Sequence, residues 1–295
     1  MQAKKYILTA FLIFLVFFSG RQTDIRSQIK ELLSKNEGIF AVAFKDLKDG
    51  ETILINENEV FHAASTMKTA VQLETLIQVE KGRFSLDDSI LIKNEFKSIV
   101  DGSSFSLSVE DDSETELYGR LGQKITLRAM MVAMITKSSN LATNIIIDLV
   151  GAINVNNSLQ KFGIQGIKVL RGVEDTKAFE KGLNNTTTAL GLMTLFEKIG
   201  NEEILPPQLN EELIQILTQQ HFNEIIPAYL PPDVKVAHKT GSINGVQHDS
   251  GIVFLPEGRK YILVLLSKNL KDESASVKSM AEVSKILFEM EKSKN

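Results

Sequence analysis

Met67 to Val79 is the stretch that most constrains this 295-residue chain. Ala70, Val71, Leu73, Leu76, Ile77 and Val79 leave so little polar surface that the helix they form must be buried. Phe61-His62-Ala63-Ala64 ends a strand-like segment just before it, and Ser65-Thr66-Met67-Lys68 opens the run. If Thr66 starts the helix, Ser65 sits at its N-terminal edge and Lys68 projects from the same face about one turn later. A serine hydroxyl is a poor nucleophile near neutral pH unless a base adjoins it, and a lysine serves when burial favours its neutral form. The helix N-terminus adds backbone N–H groups where negative charge develops on an attacked carbonyl. Taken alone the pattern is cheap, since Ser27-Gln28-Ile29-Lys30 repeats it on the polar face of a surface-type helix.

Composition narrows the chemistry. With 43% hydrophobic and 24% charged residues the chain can bury one large core or two modest ones. A net charge of −4, without basic runs interleaved with aromatics, argues against nucleic acid as a partner. Cysteine is absent, which excludes disulfides, thiolate zinc sites and thiol nucleophiles. The four histidines, His62, His221, His238 and His248, form no metal-binding pattern, so neither a metal nor another cofactor is expected. Lys4 and Lys5, the apolar block Tyr6 to Phe18, and then Ser19-Gly20 follow the order of a secretory signal over residues 1–20. That block is short for a membrane span, so an exported chain with no stable span after cleavage is expected, an uncleaved N-terminal anchor being the alternative.

The pattern alternates between two kinds of region. Helical spacing from Ile25 to Leu33 is followed by strands at Ile39 to Phe44 and Thr52 to Ile55, with Lys48-Asp49-Gly50 as a hairpin turn. Phe84 to Tyr118 reads as loops and short pieces, including the acidic Glu110-Asp111-Asp112. Thr126 is a plausible N-cap for a helix from Leu127 to Ile135; helices over Asn140 to Val150, stopped by Gly151, and Ile153 to Phe162 follow. Val169 to Thr187 suggests a long functional loop. Helical spacing returns from Thr188 to Ile199 and around Leu213 to Leu217. Strands are expected at Val234 to His238, Gly251 to Leu255 and Tyr261 to Ser267, then a helix from Ser274 to Glu289. This order suggests one mixed domain built from both chain ends, with a helical domain inserted and a ligand cleft between them.

Two further motifs follow Ser65-x-x-Lys68: Ser138-Ser139-Asn140 between two helices, and Lys239-Thr240-Gly241-Ser242 at the end of an expected strand. Ser-x-x-Lys, Ser-Asp-Asn and Lys-Thr-Gly, in that order, are the signature of class A β-lactamases and penicillin-binding proteins. The chain resembles that family over nearly its whole mature length, and most closely the class A branch. Asn144, spaced as in the family after Asn140, and Asn184-Asn185-Thr186-Thr187-Thr188, similar to the end of its omega loop, add to the likeness. The resemblance implies a β-lactamase-like α/β fold, an α+β sandwich, with an antiparallel five-stranded sheet flanked by helices. Residues 21–64 and 205–295 would form the α/β domain and 65–204 the inserted all-α domain.

The resemblance also implies roles. Ser65 would attack a β-lactam or cell-wall peptide carbonyl and become acylated, with Lys68 helping to activate it. Ser138 would pass a proton to the departing nitrogen, tuned by Lys239. Asn140, Lys239, Thr240, Gly241 and Ser242 would bind substrate, the backbone N–H groups of Ser65 and Ser242 forming an oxyanion hole. A bare Gly241 would let the substrate lie against the strand. Three departures stand out. Ser139 replaces the usual aspartate, so its loop must be held differently; Gln247-His248-Asp249-Ser250 stands where an arginine often binds the substrate carboxylate; and the deacylating glutamate is ambiguous. Glu174 fits the start of the omega loop and is preferred, against Glu180 or no glutamate base. His62 and His238 are read as packing or hydrogen-bonding neighbours. A monomeric serine β-lactamase is expected; the alternatives are a D,D-peptidase, esterase or slow penicillin binder of the same fold, and a non-catalytic sensing module.

Overall fold

A computed structural model of the chain describes residues 24–294. The signal-like segment 1–20 lies outside the described residues. Helix α1 covers 24–33, and the hairpin β1 (Ile39–Asp46) and β2 (Thr52–Ile55) follows, its turn relieved by Gly50 at φ 73°. A single 3₁₀ turn, Ala64–Met67, leads into α2 (Lys68–Glu80). The helices α3 (Leu127–Thr136), α4 (Asn140–Val150) and α5 (Ala152–Lys161) come next, then α6 (Thr176–Glu180) within the long loop, α7 (Ala189–Gly200) and α8 (Pro207–Leu217). Strands β3 (Lys235–Ile243), β4 (Val246–Phe254) and β5 (Lys260–Lys268) and the closing helix α9 (Glu273–Lys292) complete the chain.

The five strands form one antiparallel sheet in the order β2-β1-β5-β4-β3. Period-two alternation decides what each face buries. Phe40, Val42 and Phe44 of β1 with Tyr261, Leu263 and Leu265 of β5 pack under α1 and α9, where Ile29, Val283 and Leu287 meet them. Ala41, Ala43, Ile262, Val264 and Leu266 face the other way, into a larger core shared with α2, α3, α4, α7 and α8. Small residues on that face of β1 admit the close approach of α7. Buried Leu73, Leu76 and Ile77 place α2 at the centre of the helical layer, as its almost continuous apolar surface requires.

The long loop and the second pair of strands differ most from the sequence reading. β3 runs to Ile243 and β4 begins at Val246, so Lys239-Thr240-Gly241-Ser242 lies inside a strand rather than at its end. Asn244-Gly245 makes the two-residue turn between them, with Gly245 at φ 72°. The polar run Lys239 to Ser242 pairs with Gln247-His248-Asp249-Ser250, residue for residue, in the register Lys239 to Ser250 and Gly241 to His248. Among the described residues no helix is long and apolar enough to cross a membrane.

Candidate active site

Ser65 belongs to the 3₁₀ turn, and Lys68 is the first residue of α2. In a 3₁₀ turn side chains three residues apart eclipse one another, so the tighter turn sets Ser65 and Lys68 side by side. The turn is braced from below. Ala64 adopts φ 45°, its N–H donates to His62 Nδ1 at 3.0 Å, and the His62 carbonyl accepts from His248 Nε2 at 2.9 Å. Burial pushes His248 down to about 4, so its ring stays neutral and acts as a fixed hydrogen-bonding brace.

Lys68 is fully buried. Its Nζ donates to the Ser138 carbonyl at 2.8 Å and to Asn140 Oδ1 at 3.0 Å, and lies 3.3 Å from Ser138 Oγ. Burial lowers its pKa to about 7, against the opposing pull of Asp112 and Glu174. Lys239 is as deeply buried and reaches the same hydroxyl from the sheet side, Nζ to Ser138 Oγ 3.1 Å, with the Thr240 carbonyl at 2.9 Å. Its pKa lies well below the ordinary lysine value, through burial first and the facing charge of Lys68 second. Period-two alternation explains the aim: Ala237 turns into the helical core, so Lys239 and Gly241 point the same way.

Gly241 packs directly on the 3₁₀ turn that carries Ser65. A Cβ placed there would lie 3.0 Å from Ser65 N, 3.1 Å from Thr66 N and 3.2 Å from Ala64 Cβ. A side chain at 241 would thus push the 3₁₀ turn by a few tenths of an ångström, a physical reason for glycine different from room for a substrate alone. His238, one residue before Lys239, turns to the opposite face, its Nδ1 2.8 Å from Asp249 Oδ1 and its Nε2 3.2 Å from Asn223 Oδ1.

The long loop contributes the third wall. Asn144 of α4 clamps it in both directions, accepting from Val173 N at 2.7 Å and donating to the Val173 carbonyl at 3.0 Å. Arg171 and Asn185 close its neck, Asn185 Oδ1 accepting from Leu170 N at 2.8 Å and Arg171 Nε donating to the Leu183 carbonyl at 2.9 Å. Asp175 caps α6 and ties the loop to Ser98 Oγ at 2.8 Å and Ile99 N at 2.9 Å. Glu174 sits between these anchors at φ 61°, its Oε1 accepting from Asn140 Nδ2 at 2.9 Å. Burial raises its carboxyl above the usual value. Glu180 is exposed at the end of α6, so the structure brings Glu174 to the cleft and leaves Glu180 outside it.

Ser65, Asn140 and Ser242 are shared by two adjoining arms of the cleft, each about 580 Å³. Ser138, Thr240 and Gly241 line one arm, and Glu174 and His62 the other. Among the described residues six non-glycine residues have positive φ, and Ala64, Ser138 and Glu174 are three of them. Backbone strain of that kind persists only where surrounding structure enforces it, and it is concentrated here. Where the resembled family often carries an arginine, Gln247 faces the cleft, its Nε2 donating to Glu273 Oε2 at 2.7 Å and Ser242 Oγ at 2.9 Å. Among the described residues no group of three His, Asp or Glu side chains is arranged to hold a metal.

Sequence reasoning missed Asp112. This buried carboxylate sits against the start of α4, accepting from Asn140 N and Leu141 N, both at 2.9 Å, and from the Tyr118 hydroxyl at 3.0 Å. The acidic run it belongs to was visible; its partners, distant in sequence, were not.

A family model described as the beta-lactamase enzyme family matches residues 24–290. Among curated proteins, a β-lactamase of Bacteroides uniformis is 26% identical, the match covering 96% of this chain and 97% of that protein. Among solved structures, a β-lactamase from Chitinophaga pinensis DSM 2588 superposes with a TM-score of 0.79 at 24% identity, covering 91% of this chain and 99% of the other, a likeness of fold. PBP-A superposes with the same TM-score at 27% identity, covering 92% and 97%.

Proposed function

Since the chain belongs to the β-lactamase enzyme family, we propose that it is an exported, class A-type serine β-lactamase working as a single chain on small-molecule β-lactams. The observation that carries this reading is the convergence of two buried lysines, Lys68 and Lys239, on the single hydroxyl of Ser138 beside Ser65.

Two of the oxygens around Lys68 Nζ, the Ser138 carbonyl and Asn140 Oδ1, can only accept. A neutral amine satisfies both and keeps its lone pair for a hydroxyl proton. Ser65 Oγ attacks the lactam carbonyl carbon as its proton passes to Lys68, and the N–H groups of Ser65 and Ser242 receive the developing oxyanion, about 3 kcal/mol per donor. When the ring C–N bond breaks, Ser138 gives its proton to the nitrogen and regains one from the adjacent lysines. Glu174 then takes a proton from water as the water oxygen attacks the ester carbonyl; the acyl C–O bond to Ser65 breaks, Glu174 returns that proton to Ser65 Oγ, and the ring-opened acid leaves. The raised carboxyl of Glu174 suits a base working near neutral pH. Thr240 meets the substrate carboxylate in the arm that Gln247 also lines, with the Lys239 side chain behind it on Ser138.

Ser65→Ala should remove both hydrolysis of a penicillin and its covalent adduct, with an unchanged melting temperature. Turnover retained by that variant would overturn the proposal. The likeness to PBP-A favours one second reading, a penicillin binder of the same fold that acylates and then stalls.

A further inference from the structure

The second motif carries Ser139 where the resembled pattern has an aspartate, yet a carboxylate occupies that corner of the fold, delivered from another loop. We propose that Asp112 is a positioning residue of the acylation site, holding the Ser138–Asn140 loop so that Ser138 meets both lysines and Asn140 bridges Lys68 to Glu174. The inference rests on the acyl-enzyme reading given above.

Asp112 is almost fully enclosed, and every partner it has near α4 is a donor. Its Oδ2 accepts from Asn140 N at 2.9 Å, Leu141 N at 2.9 Å, the Tyr118 hydroxyl at 3.0 Å and Ser139 Oγ at 3.4 Å. Its Oδ1 accepts from Asn140 N at 3.0 Å and Glu114 N at 3.1 Å. Ser139 completes the arrangement by accepting from Ala142 N at 3.1 Å while donating to Asp112. The first N–H groups of a helix have no partner within it, and a carboxylate there is favoured by the helix dipole as well as by direct hydrogen bonds. Ser138, immediately before, is held at φ 57°, a conformation that must be enforced from outside. On the far side of the same residues lie the contacts that matter for reaction: Lys68 Nζ to Asn140 Oδ1, Lys68 and Lys239 to Ser138, and Asn140 Nδ2 to Glu174. The loop is thus fixed from behind by one carboxylate and read from in front by the catalytic groups.

Asp112 also acts by charge. Of the groups that face Lys68, Asp112 and Glu174 favour its ammonium form, and Lys239, whose own pKa Lys68 lowers, opposes it. Removing the Asp112 charge while keeping its shape favours the neutral amine and moves the rising limb of the acylation pH profile to lower pH. Loss of packing alone does not move that limb.

The test uses the full chain with Asp112→Ala, Asp112→Asn, Ser139→Asp and the double variant Asp112→Ala/Ser139→Asp. Acylation by benzylpenicillin is read by intact mass, and amide hydrogen exchange is read over residues 138–144. Asp112→Ala should acylate about 100-fold more slowly, the scale expected when a catalytic group is displaced by about 1 Å, with faster exchange at Asn140 and Leu141. Ser139→Asp alone should also slow acylation, because two carboxylates crowd one corner. Combined with Asp112→Ala it should recover most of the lost rate and protection, because the carboxylate returns to the same helix end from position 139. Asp112→Asn, the milder change if the alanine variant does not fold, should shift the rising limb to lower pH. Wild-type rate and exchange in Asp112→Ala, a folded double variant no better than Asp112→Ala, or an unmoved limb in Asp112→Asn would overturn the proposal. If the wild type forms no adduct the acyl-enzyme reading fails instead, and the exchange data still decide what Asp112 holds.

Discussion

Two buried ionic clusters lie at different places on the sheet and are built on opposite rules. Where β1 ends, opposite the turn before β5 and the last turns of α9, Arg259 Nη2 pairs with Asp46 at 2.7 Å and Glu291 at 2.6 Å. Lys294 joins Asp46 at 3.1 Å, Glu51 at 2.7 Å and Glu291 at 2.5 Å. Opposite charges alternate there, and the cluster staples the first strand to the last helix. Around Ser138 the rule is inverted: two buried lysines face each other across one hydroxyl, and both lose affinity for their protons. Opposite charges paired at short range tie two elements together, whereas two like charges buried on one hydroxyl lower lysine pKa values and make those groups available for proton transfer.

The contrast can be broken by exchanging one cation in each cluster. Lys68→Met should slow acylation by about 100- to 10,000-fold, the usual range for loss of a general base, while leaving the melting temperature at or above that of the wild type. Arg259→Met should do the reverse, costing about 3–5 kcal/mol in denaturant unfolding by removing the guanidinium from Asp46 and Glu291 and leaving both to Lys294, with the acylation rate of the folded protein unchanged. Equal effects of the two variants on either readout would erase the distinction.

Proton linkage sharpens it further, with a smaller effect. Lys68 drops from 10.5 to about 7 on folding, so between those values the unfolded chain binds a proton that the folded chain refuses. Stability therefore falls as pH is lowered across that window, and Lys68→Met should flatten the slope. For Asp46, burial raises the carboxyl but hydrogen bonds from Lys48 N, Glu291, Lys294 and Arg259 outweigh it, leaving it below the carboxylate range. Its contribution is complete above the unfolded value of about 3.9 and is lost only as pH falls below that. Urea unfolding of wild type and variants across pH separates the windows, and acylation by the wild type should rise through about pH 7 as Lys68 loses its proton.

What could be read from sequence followed the range of the interactions responsible. The cap at Thr126, the helix from Asn140 to Val150 and its stop at Gly151 depend on neighbours within one turn, and they stand as read. So does the Asp49-Gly50 hairpin. β3 and β4 were read short because His238, Lys239, His248 and Asp249 interrupt the apolar pattern. Those side chains are buried by partners from α3–α4, from the 220s loop and from the neighbouring strand, none of which periodicity reveals. Asn244-Gly245 between β3 and β4 is a two-residue turn signal of the kind that marks a hairpin. Glu174 could be preferred over Glu180 from its place in the loop, but only Asn144 and Asn140 show why it reaches the cleft. Asp112 was beyond reach because its hydrogen bonds to Asn140 and Leu141 span 28 and 29 residues.

The central claim is that the two lysines buried on the Ser138 hydroxyl drive acylation of Ser65 and that Glu174 completes the cycle. An intact-mass time course with benzylpenicillin, run on the wild type and on Glu174→Gln with the free drug followed in the same tube, tests it most directly. A transient adduct on Ser65 with complete hydrolysis in the wild type, and a persistent adduct in Glu174→Gln, is the predicted result. A wild-type adduct that persists while the drug survives, or equal adduct lifetimes in the two proteins, would contradict it.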